Sequence, residues 1–194
     1  MPEPMKNKYY NKDSIGALAS RVKAVYPSLP LDDFVGDIMD ETWEALELKA
    51  RMRQITIILG KYLAADYAQA IGILDKVIAG YPAGVVDSGL LYFPDFVEVF
   101  GQDACHWDLS MAALERYTPY STAEFAVRPF IIKQERRMMA QIAEWAGHDN
   151  EHVRRLASEG CRPALPWGQA LPSFKQDPLP VLQILAGLKA SPSL

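Results

Sequence analysis

The chain has 194 residues with 49% apolar and 23% charged side chains and a formal net charge of −4. That composition suits a folded globular chain and excludes wholesale disorder and collagen-like or low-complexity architectures. No stretch of bilayer length is free of charge, no secretory leader is visible, and two cysteines, Cys105 and Cys161, make neither a disulfide framework nor a cysteine zinc site. A non-membrane chain in a reducing cytoplasm is expected, with no metal and no cofactor.

The charge is unevenly spread. Residues 1–127 carry eleven basic against eighteen acidic residues, whereas 128–162 carry seven against five. Any anionic partner is therefore expected at 128–162.

In chain order, apolar residues recur at three and four. Ile15, Leu18, Val22 and Val25 form a first helix that Pro27 and Pro30 close, and Leu46, Met52, Ile55 and Leu59 mark a second. A helix near 66–79 stops at Gly80 and Pro82. Glu124 and Arg128, four apart, read as one helix face immediately before Pro129, a residue that ends or kinks a helix. A further helix over 151–162 stops at Pro163 and Pro166, and another covers 179–189. Strand-like alternation is almost absent, so the expected fold is all-α, about nine helices with short turns.

The chain also resembles itself. A shift of 43 lays Val181, Leu182, Leu185, Ala186 and Leu188 on Met138, Met139, Ile142, Ala143 and Trp145. Helix pairs at this period suggest a HEAT-like array, an α-solenoid whose units bury their faces by stacking. The expectation is a single helical-repeat domain over 1–194, with amino-terminal helices in 1–100 and HEAT-like repeats in 107–194. Under the same shift Leu194 falls on Glu151, so the last repeat reads as incomplete. Its helix is expected to leave Val181, Leu182, Leu185 and Leu188 on an exposed apolar face: either another chain covers it, self-association being one route, or the sequence is a truncated version of something longer.

Candidate chemistry lies between 124 and 167. Over 151–162, Val153, Leu156, Ala157 and Gly160 form a packing face, opposite Arg155, Glu159 and Arg162. Arg155 and Glu159 read equally well as an exposed pair four apart, contributing about 0.2–0.5 kcal/mol. If equivalent helices line one surface, Glu124 and Glu159 converge there, with Arg128, Arg154, Arg155, Arg162 and Trp167 around them. Guanidiniums suit phosphate, and an indole face suits a base or a cation. Trp167 reads equally well as a buried anchor of the Pro-rich turn 163–168. In His148-Asp149-Asn150-Glu151-His152 the polar residues look like a helix cap, not a zinc-protease helix. Cys105 beside His106 lacks a nucleophile turn and is expected in the core.

The segments Ser121-Thr122-Ala123-Glu124-Phe125-Ala126-Val127-Arg128-Pro129-Phe130, His152-Val153-Arg154-Arg155-Leu156-Ala157-Ser158-Glu159-Gly160-Cys161-Arg162-Pro163 and Leu165-Pro166-Trp167-Gly168 resemble the AlkC family. These are bacterial DNA alkylation-repair glycosylases of the HEAT-like-repeat class. The resemblance runs from about Leu46 to Leu194. It implies hydrolysis of the N-glycosidic bond of N3-alkylated bases, chiefly 3-methyladenine, with double-stranded DNA carrying alkylated bases as partner. It also implies that Glu124 and Glu159 are active-site carboxylates and that Arg162 and Trp167 contact lesion or DNA. Related proteins carry a further active-site aspartate on a helix this sequence does not reach. The alternative is a catalytically incomplete helical scaffold that binds DNA or a protein partner.

Overall fold

The computed structural model describes residues 4–63 and 66–189, among which there are twelve α-helices, three short 3-10 turns and no strand. After a first turn of helix, α1 (Met5–Tyr9), the helices α2 (Lys12–Val25) and α3 (Leu31–Ile38) form a pair, broken where Pro27 and Pro30 fall. Helix α2 starts at a capping box: Asn11 Oδ1 accepts from the Ser14 amide, and the Ser14 hydroxyl accepts from the Asn11 amide. Its buried stripe is Ile15, Leu18, Ala19 and Val22. The next helices are α4 (Leu48–Tyr62), α5 (Tyr67–Ile78), α6 (Tyr92–Phe100) and α7 (Trp107–Tyr117). The Asp66 side chain caps α5 by accepting from the Gln69 amide.

Helix α8 (Val127–Lys133) begins after Glu124. Pro129 therefore stands in its first turn, where a missing N–H costs nothing, and the expected helix ending at Pro129 is corrected to one that starts beside it. There follow α9 (Glu135–Ala146), α10 (Glu151–Gly160), α11 (Pro172–Gln176) and α12 (Leu179–Leu188). The expected count of nine was low because short helices such as α1 and α11, five residues each, show no period of their own.

Packing orders the longer helices in two rows. One runs α3, α4, α6, α8 and the other α2, α5, α7, with α6 also against α7 and α8 against α9. Helix α9 extends the second row, since Trp145 Nε1 donates to Glu115 on α7 at 2.9 Å, and α12 follows it, packed on both α9 and α10. Helix α10 extends the first row, where its last residue, Gly160, meets Val127 of α8 so closely that a Cβ would lie 2.7 Å from Val127 Cγ2. The buried apolar residues form one contiguous cluster from Tyr10 to Leu188. Lys49, Asp95 and Glu98, the turn at Glu124, and Arg155 and Glu159 thus all belong to the first row or its approach.

Two expectations are corrected. On α12 the buried residues are Val181, Ile184 and Leu188, while Leu179, Leu182 and Leu185 face outward. The shift of 43 matches Val181 with Met138 and Leu188 with Trp145 in burial but puts Leu185, not Ile184, on the buried Ile142. An exposed apolar stripe exists: it keeps Leu182 and Leu185 of the expected face, loses Val181 and Leu188 to the core and gains Leu179. Residues 190–194, on which the incomplete repeat partly rests, lie outside the described residues. Cys105 is exposed and not in the core, because it precedes α7 on a 3-10 turn with no buried face, whereas Cys161 is buried.

Candidate nucleic-acid interface

Helix α10 is built to present charge. Asn150 caps it, its side chain accepting from the His152 amide at 2.9 Å, as the run 148–152 suggested. His148 Nδ1 accepts from the Asn150 amide, which leaves the proton on Nε2, facing Glu115 Oε1 at 3.4 Å. Val153, Leu156, Ala157 and Gly160 pack inward. Arg155 and Glu159 then point outward, but they do not pair with each other.

Arg155 reaches across to the turn before α8, its Nη2 standing 3.6 Å from Glu124 Oε2. Glu159 takes Arg162, Oε2 to Nη1 at 2.7 Å. The bland reading of an Arg155–Glu159 helical pair is thereby replaced by one contact between units and one at the helix end. Glu159, with Glu124 nearby, holds the Arg162 guanidinium above its ordinary pKa, so Arg162 lies in the field of both carboxylates. The Glu124 side chain is only 12% exposed. Its Oε2 is buried and accepts no hydrogen bond among the described residues, Arg155 being close enough for charge but too far for a hydrogen bond. That oxygen's hydrogen-bonding capacity is left unfilled by the described residues.

Two of the arginines expected at phosphate have other work. Arg128 is fully buried and donates to three backbone carbonyls: Nη1 to Gly160 at 3.1 Å, Nη2 to Arg162 at 2.8 Å and Nε to Gln169. Burial lowers its pKa, with Cys161 and Glu124 opposing. The expectation that Arg128 holds phosphate is corrected: its fork is spent on pinning the end of α10 and the loop beyond it. Arg154 Nη1 donates to the carbonyls of His148 and Asp149, at 2.8 Å each, and so serves the start of α10. Arg155 and Arg162 remain about half exposed.

Trp167 is not a buried anchor. It is 61% exposed and has φ 62°, the only left-handed non-glycine residue among the described ones. Such a conformation costs a non-glycine residue on the order of 1–3 kcal/mol and persists where its surroundings impose it. Here Lys49 Nζ of α4 donates to the Trp167 carbonyl at 2.8 Å, across 118 residues, and lies 5.3 Å from the centre of the Phe125 ring.

Behind Lys49 is a cluster that no local pattern announces. Arg53 Nη2 meets Asp95 Oδ1 at 2.8 Å and Glu98 Oε1 at 2.6 Å, joining α4 to α6. Burial raises the pKa of both acids, Arg53 and Lys49 opposing it, and Asp95 also has the Thr56 hydroxyl beside it. Between these acids and Thr122 and Phe125 is a cavity of about 10 Å³, room for one water. The partners in this cluster are 42–45 residues apart in sequence, so periodicity carried no signal for it. Among the described residues no group of three metal-ligating side chains occurs, and no single helix is long and apolar enough to cross a membrane.

No family model matches the chain. A curated relative from Bacillus subtilis (strain 168), the uncharacterized protein YhaZ, is 46% identical over 185 residues, 95% of this chain and 50% of the relative. Among solved structures, the Pseudomonas fluorescens alkylpurine DNA glycosylase AlkC, bound to DNA containing an abasic site analogue, matches all of this chain and 52% of its own, with a TM-score of 0.92 and 34% identity. The chain therefore spans about half the length of the relatives it matches. In sequence and in fold, over its whole length, the chain is AlkC-like.

Proposed function

We propose that this chain acts in DNA repair as a glycosylase, hydrolysing the N-glycosidic bond of N3-alkylated purines such as 3-methyladenine in duplex DNA within the cytoplasm. The observation that carries the reading is that Glu124 and Glu159, from separate helical units, each meet an outward arginine of the α10 segment, Arg155 and Arg162, while Trp167 in the loop beyond is exposed. The likeness to an alkylpurine DNA glycosylase over the whole chain supports it.

The chemistry suits these groups. An N3-alkylated purine is cationic and takes the electrons of the breaking C1′–N9 bond without strong acid assistance. The sugar is left with oxocarbenium character, which a nearby carboxylate stabilises, and a water oriented by a carboxylate supplies the new C1′–O bond. Glu124, largely enclosed and with one carboxylate oxygen unpartnered, is the one whose hydrogen-bonding capacity a substrate or water would fill. Glu159 acts through the field it shares with Arg162. Arg155 and Arg162 face phosphate, and the Trp167 indole offers a π-face to the cationic base or its neighbour.

The test is release of 3-methyladenine from methylated duplex DNA by this chain, beside Glu124→Gln and Glu159→Gln. Release by the chain, reduced at least tenfold by Glu124→Gln with DNA affinity little changed, supports the reading. Salt-sensitive duplex binding without release would instead make the chain a DNA-binding scaffold, the second class of function its sequence allows.

A further inference from the structure

The loop from Pro163 to Leu171 carries Trp167, and two cations hold it. Buried Arg128 donates to the carbonyls of Arg162, just before the loop, and Gln169 within it. From the α4 side, exposed Lys49 donates to the carbonyl of Trp167 itself at 2.8 Å. A surface lysine ordinarily swings freely on its four-carbon stem, but this one is located by two further features. Its ammonium lies 5.3 Å from the centre of the Phe125 ring, and it stands in the field of buried Asp95 and partly buried Glu98, which share the one guanidinium of Arg53. The residue it holds is the one whose backbone is strained and whose indole is unpacked.

We propose that Lys49 is a positioning residue of the site: it clamps the strained backbone of Trp167 against Phe125, the residue next to Glu124, and so sets where the indole stands relative to the carboxylate. The proposal deepens the glycosylase reading and rests on it for its catalytic consequence. Its structural content stands without that reading. In this role Lys49 does not meet DNA phosphate, because its ammonium is engaged with the Trp167 carbonyl and the Phe125 face. It joins α4 to the far end of the first row, so half of the site's geometry comes from the amino-terminal helices.

Chymotrypsin provides a local readout, since it cuts after exposed aromatic residues and the Trp167–Gly168 bond lies in the clamped loop. Lys49→Met is expected to speed cleavage after Trp167 about tenfold, with the thermal midpoint unchanged, by raising the population of the opened loop. Lys49→Arg, which keeps a cationic donor, is expected to restore the wild-type rate. Equal cleavage of wild type and Lys49→Met overturns the clamp, whatever the activity. On DNA, Lys49→Met is expected to slow single-turnover base release about tenfold while leaving the slope of log affinity against log salt unchanged. A slope reduced by about one would make Lys49 a phosphate contact and overturn the positioning role. If the wild-type chain releases no base, the glycosylase reading fails while the cleavage comparison still decides the proposal.

Discussion

At Arg128 one guanidinium serves three carbonyls from two segments, Gly160 and Arg162 at the end of α10 and Gln169 in the loop beyond. Truncating it strands the buried Gly160 carbonyl and strips two partly buried ones of their donor, and each bond to a charged donor is worth roughly 1.5–3 kcal/mol. Arg128→Met is therefore expected to destabilise the fold by about 3–5 kcal/mol in denaturant titration. Arg128→Lys should recover little, because a single ammonium does not reproduce a planar fork. A loss below about 1 kcal/mol would mean that the loop relaxes and finds water instead. Arg51 shows the same design near the amino end, buried and donating to the carbonyls of Tyr10 and Trp43. Both arginines look like any surface cation in sequence. What separates Arg128 from Arg162 is whether carbonyls 32–41 residues away converge on it, and residue type is silent about that.

The elements themselves were legible where their own chemistry defines them. Asn150 before Glu151 reads as a cap and is one, and the inward face of α10 is the one its spacing marks. Helix α12 is legible only in part: Leu182 and Leu185 face outward as its sequence suggests, but it is apolar on several sides, so periodicity does not show that Val181 and Leu188 are buried. Between α4 and α6 the decisive feature is electrostatic, buried Asp95 and partly buried Glu98 on one guanidinium. Burial raises the pKa of Asp95 and Glu98, so the folded chain keeps protons that the unfolded chain has released. Their contribution is then most favourable at low pH and is lost as pH rises through their raised pKa values. Asp95→Asn cannot ionise, so its melting temperature relative to wild type should climb as pH goes from about 4 to about 7. The opposite trend in paired melting curves would mean that Arg53 attracts Asp95 more than burial penalises it.

Over the whole molecule, the chain's −4 charge disfavours DNA, and association depends on where the excess cations of 128–162 stand. The helical class is readable from the period, and charge and motif mark the region of the candidate site. The partition among the arginines was not, since it depends on which row each helix joins. Arg155 and Arg162 face outward beside the two carboxylates, while Arg154 is turned to the carbonyls at the start of α10. Duplex affinity should accordingly fall with added salt, and Arg162→Ala should reduce that log–log slope by about one, as removal of a single phosphate-neutralising cation does. Arg155→Ala should do the same and also leave Glu124 without its counter-charge, so base release should suffer beyond the loss in binding. Arg154→Ala should leave the slope unchanged. The three variants, titrated with the same duplex across a salt series, separate a phosphate-reading face on α10 from a general positive potential. Equal reductions of the slope in all three would show that only the summed charge of the segment matters, and that the orientation imposed by the inward face of α10 has no part in how DNA is held.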